Sequence, residues 1–208
     1  MNEMNPHRCT DFVSELMLTG VEEILGTGGL DPALAERQAR LQELRRGETL
    51  HAHDFPEYDL DKIQQALGHL FGIEAGSGLA LRAGRASLQR LLSQYGAQLG
   101  ITSLGYRLLP SRARFKTGLE ALAGFLSAPC GGQITISEDA NNWYWRIESC
   151  PWCLNGESGQ PACHFVVGLL QEFLSWASGG RFFQVTETEC QAMGAPACLI
   201  QMNKQPID

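Results

Sequence analysis

The last third of the chain places three cysteines and one glutamate where a single metal ion could collect them. These residues are Cys163, Glu187, Cys190 and Cys198. Thiolate sulfur and carboxylate oxygen are ligands that zinc accepts in a tetrahedral site. Four protein ligands leave no position for water, so such a zinc ion would stabilise the fold rather than catalyse a reaction. The alternative interpretation is that these cysteines are small buried apolar residues without metal.

Two predicted strands present two of these ligands on core-facing rows. Residues 182–187 and 197–203 alternate in polarity, which is typical of half-buried strands. On the first strand Glu187 lies on the apolar face, and on the second Cys198 does. A carboxylate on a core-facing row is costly unless a cation pairs with it. The pattern therefore favours a metal ion between the two strands.

A helix predicted over residues 161–177 contributes Cys163 at the start of its apolar face. The N-terminus of a helix is expected to lower the pKa of a thiol and to favour the thiolate, which is the form that binds metal. A metal at this point would tie the helix to the two strands.

The pair Cys150 and Cys153 adds two more thiols in a Cys-Pro-Trp-Cys sequence. Such a pair can form half of a zinc site, here by replacing one of the four ligands above. It also fits a redox dithiol, although a thioredoxin-like pair would open a helix and the glycines at 156 and 159 indicate a loop. The isolated Cys9 and Cys130 are interpreted as buried structural residues.

The order of the predicted elements indicates an α+β fold, in which N-terminal helices precede an antiparallel sheet that carries one late packed helix. Helical periodicity covers residues 12–25, 59–71, 77–99 and 111–127, and a hairpin is predicted over 133–147. Residues 106–110 are predicted to form a strand or an extended link. Gly84, inside the helix over 77–99, predicts close backbone packing or the approach of a ligand.

Charge and length exclude several classes of protein. The chain has 208 residues and a net charge of −7, which makes it a poor general binder of nucleic acid. It shows neither the apolar stretch of a signal peptide nor a run long enough to span a membrane, so we expect a cytoplasmic protein. Residues 75–119 contain basic but no acidic residues. This segment either neutralises the acidic remainder of the chain or meets an anionic ligand or partner.

The sequence from Thr186 to Cys198 resembles the C-terminal signature of the 4-vinyl-reductase domain family. That signature has a Glu-x-x-Cys pair, a glycine and a second cysteine, and a cysteine opens the preceding helix, as Cys163 with Gly168 does here. The resemblance covers about residues 76–203 and implies a domain over 76–208 with a helical extension over 1–75. In the related phenol-sensing input domains the matching glutamate and cysteines bind zinc.

The resemblance further implies a fold similar to small subunits of the TRAPP vesicle-tethering complex, a homodimer, and a pocket for an apolar or aromatic molecule near the zinc. We therefore interpret the chain as a zinc-stabilised binding protein for a hydrophobic small molecule, either a tetrapyrrole such as a bacteriochlorophyll precursor or an aromatic hydrocarbon. The predicted ligand-binding residues are Arg107, Arg112, Phe115, Trp143, Trp145, Phe165, Phe173 and Trp176.

Two alternatives come from other classes of function. The first is a 4-vinyl reductase of tetrapyrrole biosynthesis, which would need an external electron donor because the chain has no dinucleotide-binding glycine motif after a strand. The second is an assembly factor that docks a biosynthetic enzyme through the basic segment over 75–119. We favour binding over catalysis and predict no catalytic residue.

Overall fold

The computed structural model describes residues 7–26, 60–130, 133–153 and 159–207. Five helices and one single-turn helix surround a four-stranded sheet in this part of the chain. In chain order the elements are α1 (His7–Leu25), α2 (Leu60–Phe71), α3 (Ile73–Tyr95), α4 (Leu104–Arg107), α5 (Ser111–Cys130), β1 (Ile134–Glu138), β2 (Asn142–Ile147), α6 (His164–Ser178), β3 (Phe183–Glu189), a 3₁₀ turn (Gln191–Met193) and β4 (Cys198–Pro206). This arrangement confirms the predicted α+β fold.

The sheet is antiparallel throughout, in the order β1-β2-β4-β3. Alternate residues of each strand point to opposite faces, and the inner face is the one covered by helices. On β2 and β4 the inner residues are buried, namely Trp143, Trp145, Ile147, Cys198, Ile200 and Met202. On β3 the inner row contains Phe183, Val185 and Glu187. Both strand faces predicted from the alternation are therefore observed.

Helix α3 is the central helix, and it packs against α1, α2 and α6. Its crossing with α6 is close because both helices present glycine there. A Cβ atom at Gly84 would lie 2.0 Å from the Phe165 carbonyl oxygen, and one at Gly168 would lie 1.9 Å from the Leu81 carbonyl oxygen. Backbone packing thus accounts for the glycine inside α3, which was one of the two predicted reasons.

The prediction of an extended link over 106–110 is wrong at its start. Residues 104–107 form the single-turn helix α4, because the Ser103 side chain accepts a hydrogen bond of 3.2 Å from the Tyr106 N–H and caps the turn. The Tyr106 hydroxyl then donates to the Arg114 carbonyl oxygen at 2.9 Å, and its burial raises the pKa of Tyr106 to about 12.

Helices α1 and α2 share the hydrophobic core with the rest of the fold. Leu16, Met17 and Leu67 are buried in the same cluster as the inner face of the sheet. Part of the predicted extension over 1–75, including residues 27–59, lies outside the described residues, and the division at residue 75 stays a prediction. None of the described helices is both long and apolar enough to cross a membrane.

Candidate metal centre

Five cysteines meet at one end of the inner face of the sheet. Cys198 begins β4 and is paired in register with Ile147, the last residue of β2. The turn that follows β2 carries Cys150 and Cys153 and is therefore held beside Cys198. Two further elements complete the group, which we call the thiol cluster. Its members are Cys150, Cys153, Cys163, Cys190 and Cys198, and none forms a disulfide.

Cys163 and Cys190 reach the cluster from the ends of other elements. Cys163 is the N-cap residue of α6, and its carbonyl oxygen accepts the hydrogen bond of the Val167 N–H at 2.9 Å. Cys190 follows β3 directly and caps the 3₁₀ turn. That turn ends at Gly194, whose φ of 87° lies in the left-handed region that glycine adopts without strain. The chain then returns to Cys198.

The sulfur atoms lie at distances that suit a shared tetrahedral ion. Cys153 Sγ lies 3.5 Å from Cys198 Sγ, 3.6 Å from Cys190 Sγ and 4.0 Å from Cys163 Sγ. A zinc–sulfur bond of about 2.3 Å gives a tetrahedron whose edges are about 3.8 Å long. Cys150 Sγ is closer to Cys163 Sγ, at 3.2 Å.

Glu187 lies beside the thiols with one of its oxygen atoms unpaired. Its Oε2 accepts a hydrogen bond of 3.0 Å from the Cys163 N–H, which ties the start of α6 to β3. Its Oε1 is buried and has no hydrogen-bond partner among the described residues. An unpaired buried carboxylate oxygen is costly, and a metal ion would satisfy it. The donor set therefore fits a zinc ion.

Two sets of four donors meet the geometric requirement for a metal site, and within each set the donor atoms lie within 4.8 Å of one another. The glutamate set is the one predicted from the sequence: Cys163, Glu187, Cys190 and Cys198. The thiol set replaces two of these donors by the Cys-x-x-Cys pair: Cys150, Cys153, Cys163 and Cys198. The structure thus brings all the predicted ligands together, including the additional pair.

Hydrogen bonding divides the thiols into readily ionised and protonated ones. The bond from Cys150 lowers the pKa of Cys153 to about 2 and also lowers the pKa of Cys198, and the bond from Cys163 lowers the pKa of Cys190. The bond with Cys153 raises the pKa of Cys150, and the bond with Cys150 raises the pKa of Cys163. The lower pKa expected for Cys163 at a helix N-terminus is therefore not observed, because its neighbours determine it.

Gln191 positions the cluster and was not predicted from the sequence. Its Oε1 accepts from the Cys150 N–H at 2.8 Å, and its Nε2 donates to the carbonyl oxygens of Glu148 at 2.9 Å and Pro196 at 3.1 Å. Its backbone N–H also points at Cys198 Sγ, at 3.3 Å. One side chain thus joins the turn after β2 to the turn before β4. The only signal in the sequence is its place next to Cys190.

Aromatic side chains continue the inner face away from the thiol cluster. The Phe115 ring lies edge-on to the rings of Trp143, at 5.2 Å, and Phe183, at 5.5 Å. Trp145 is fully buried, and Trp152 stacks on Phe165 at 6.0 Å. The indole N–H groups of Trp143, Trp145 and Trp152 are buried without a hydrogen-bond partner among the described residues.

The remaining predicted lining residues lie on α6 and near its C-terminal end. Phe173 is fully buried, and Trp176 is half-buried between Phe173 and Tyr106, with ring centroids 6.1 Å from each. Their role as lining residues stays a prediction. A shallow depression of about 190 Å³ lies on the other, outer face of the sheet. It is lined only by polar residues, namely Gln184, Thr186, Thr188, Gln201 and Asn203.

The predicted arginines differ in their surroundings. Arg112 is exposed and forms an ion pair of 3.1 Å with Glu138, which also binds Lys116 and Lys204. Arg107 is exposed on α4 and makes no ion pair with the described residues. The Arg112 guanidinium therefore serves the β1–β2 hairpin, whereas that of Arg107 is free for a ligand.

Comparison with known proteins supports the resemblance inferred from the motif. Residues 143–204 match the model of the 4-vinyl-reductase domain, which confirms the family resemblance. The vinyl-reductase region, as we call residues 143–204, contains every donor of the two ligand sets. A comparison with curated proteins finds no match.

Solved structures of the same fold are distant in sequence. An H-NOX protein from S. oneidensis in the Fe(II)NO ligation state is 12% identical, with a TM-score of 0.55 over 93% of this chain and 98% of that one. The phenol-responsive sensory domain of the transcription activator PoxR, solved with phenol, is 17% identical, with a TM-score of 0.46 over 69% and 72%. Subunit 3 of a trafficking protein particle complex from Naegleria fowleri, covalently bound to palmitic acid, is 13% identical, with a TM-score of 0.45 over 95% and 99%. The H-NOX likeness confirms the fold.

Proposed function

We propose that this chain is a zinc-stabilised binding domain for a hydrophobic small molecule that carries a hydrogen-bond acceptor. The observation that supports this function best is the set of unpaired indole N–H groups of Trp143, Trp145 and Trp152 in an otherwise apolar core. Buried donors are nearly always paired in native proteins. An acceptor atom of a bound guest would supply the missing partner.

The energetic argument concerns each indole separately. Leaving a buried donor unpaired costs about 1–3 kcal/mol, and a guest that accepts its hydrogen bond recovers part of that cost. The apolar and aromatic side chains around these indoles match a flat, oily guest. Because they are closely packed, we expect the inner-face side chains to move apart when the guest enters.

The proposed guest site adjoins the metal centre. Trp145 and Glu187 flank Ile200 in one row across β2, β4 and β3. Neighbouring strands lie about 4.8 Å apart, so the backbones of Trp145 and Glu187 are about 10 Å apart. A zinc ion bound by the thiol cluster would therefore fix the end of the guest site by holding α6 against the sheet.

Within this class we propose a tetrapyrrole or a phenol-like aromatic compound as the guest. The domain resemblance supports the tetrapyrrole, and the unpaired Arg107 guanidinium supports a guest with carboxylates, because arginine binds carboxylate in a bidentate manner. The free thiols support a reducing compartment such as the cytoplasm. A homodimer stays a prediction.

The test compares two guests that differ only in the acceptor. Phenol and toluene would be titrated into the zinc-loaded protein while tryptophan fluorescence is recorded. We expect Trp145→Phe to weaken phenol binding by about 5- to 10-fold, which corresponds to one hydrogen bond of about 1 kcal/mol, and to leave toluene binding unchanged. Trp176→Phe is the matched control, because Trp176 is half-buried and lies outside the inner face.

Several results would contradict the proposal. Absence of quenching by phenol, by toluene and by a divinyl tetrapyrrole at millimolar concentration would exclude the guest site. Equal weakening of phenol and toluene by Trp145→Phe would exclude the hydrogen bond. Turnover of the divinyl tetrapyrrole with an added nicotinamide or flavin reductant would instead favour the reductase.

A further inference from the structure

We propose that the metal ion exchanges two of its ligands when Cys150 and Cys153 are oxidised to a disulfide. The reduced protein would hold the ion in the thiol set, and the oxidised protein would hold it in the glutamate set. This inference rests on the proposed metal centre and adds a redox response to it.

The two ligand sets overlap in a way that makes exchange a small displacement. Both contain Cys163 and Cys198, so two bonds to the ion persist throughout. The incoming and outgoing donors are neighbours, since Cys153 Sγ lies 3.6 Å from Cys190 Sγ. The ion would move between adjacent positions without a rearrangement of the strands.

In the reduced protein the thiol set offers four sulfur ligands, whereas the glutamate set offers three sulfurs and one oxygen. Soft thiolate ligands select zinc over the harder cations that prefer oxygen. Glu187 is meanwhile kept at the site by the hydrogen bond from the Cys163 N–H to Oε2, and Oε1 remains unpaired among the described residues. This oxygen is the donor that the exchange would use.

The Cys-x-x-Cys pair is the part of the cluster that an oxidant reaches first. Cys153 is half-buried, whereas the other cysteines of the cluster are buried. The Cys153 N–H donates to the Cys150 carbonyl oxygen at 3.0 Å, and this turn holds both sulfurs within 4.8 Å of each other. A disulfide between them therefore needs only a local movement of the side chains.

The oxidation is balanced with hydrogen peroxide as the oxidant. Two thiols give up two electrons and form one sulfur–sulfur bond, and the peroxide takes up the two electrons and two protons and leaves as two water molecules. Where the ion held these sulfurs as thiolates, the two protons come from solvent. The outgoing sulfurs no longer bind metal, because only thiolates do so.

The experiment uses the full chain loaded with Co²⁺, whose absorption reports the number of thiolate ligands. Cys9 and Cys130 are serine in every sample, so that the thiol cluster supplies all remaining cysteines. One equivalent of peroxide is added, and the metal content, the absorption and the alkylation pattern are measured. We expect a Cys150–Cys153 disulfide, an unchanged ratio of metal to protein, and charge-transfer absorption lower by about one quarter, since three of four thiolates remain.

Two variants separate exchange from simple damage. The double variant Cys150→Ser/Cys153→Ser should show the three-thiolate spectrum from the start and should not respond to peroxide. The variant Glu187→Gln should bind the ion when reduced and lose most of it on oxidation, because the glutamate set is then incomplete.

Each other outcome overturns the inference. A reduced protein whose spectrum already equals that of the double variant excludes the thiol set, and release of the ion from the wild-type protein by peroxide excludes the glutamate set as its second position. A reduced protein that binds no metal overturns the proposed metal centre as well. Guest binding, measured separately by fluorescence, shows whether the rest of the proposed function survives.

Discussion

The crossing of α3 and α6 predicts a large difference between two glycine substitutions on the same helix. Gly84→Ala would place a Cβ atom 2.0 Å from the Phe165 carbonyl oxygen, where ordinary contacts begin at 3.4 Å. The contact is with backbone, so the helices must separate by about 1.4 Å. Gly78→Ala, also on α3, adds a Cβ atom with no heavy atom within 4 Å.

The expected magnitudes have opposite signs. Alanine in an exposed helix interior is more stable than glycine by about 1 kcal/mol, which is the expected gain for Gly78→Ala. Gly84→Ala has the same intrinsic gain, but overpacking of a filled core costs about 1–3 kcal/mol and more where backbone must move. We expect Gly84→Ala to lower the free energy of unfolding by about 2 kcal/mol, which separates the two variants by about 3 kcal/mol.

Urea unfolding of the zinc-loaded protein, followed by tryptophan fluorescence, measures this difference. With a slope of about 1–3 kcal/mol/M, the two midpoints should differ by at least about 1 M. Metal affinity should also fall in Gly84→Ala, because Phe165 lies two residues from Cys163 and metal–ligand distances tolerate only about 0.2 Å. Equal midpoints for the two variants would refute the close crossing of α3 and α6.

Three further predictions concern buried and charged groups. Ser87→Ala removes the hydrogen bond of 2.8 Å to the Leu16 carbonyl oxygen and should cost about 1–2 kcal/mol in urea unfolding, whereas the exposed Ser93→Ala should cost less than about 0.5 kcal/mol. Hydrogen bonds from Lys204, Arg112 and Lys116 lower the pKa of Glu138 from 4.5 to about 2, so the stability from this carboxylate is present above pH 4.5 and lost as the pH falls towards 2. Lys204→Met should move that pKa, measured by NMR, towards 4.5, and an unchanged value would contradict the assignment. Gln191→Ala should weaken zinc binding by about 10-fold or more in a chelator competition, and an unchanged affinity would show that the turns hold without it.

Local periodicity explains why the faces of the strands and helices were predictable. Alternation along a strand alone decides which face a residue takes, so Glu187 and Cys198 could be assigned to the core side without knowledge of the fold. The helical period did the same for Cys163 on α6. Metal ligands that lie on such regular elements are visible in a single sequence.

The rest of the cluster depends on register and on turns, which have no period. Cys150 and Cys153 lie beside Cys198 only because β2 pairs with β4 at Ile147, and no local pattern specifies this pairing. Gln191 bridges two turns that meet only in the folded chain. The single-turn helix α4 is also too short to show a helical period.

The position of α3 between α1 and α6 has a practical consequence for protein engineering. The vinyl-reductase region contains the inner face of the sheet, but the helices α1, α2 and α3 that share its core precede it in the chain. A transplanted fragment of residues 143–204 would expose Trp145 and Ile200 to water and would aggregate. Chimeric receptors built on this scaffold should therefore exchange the helical cover together with the sheet.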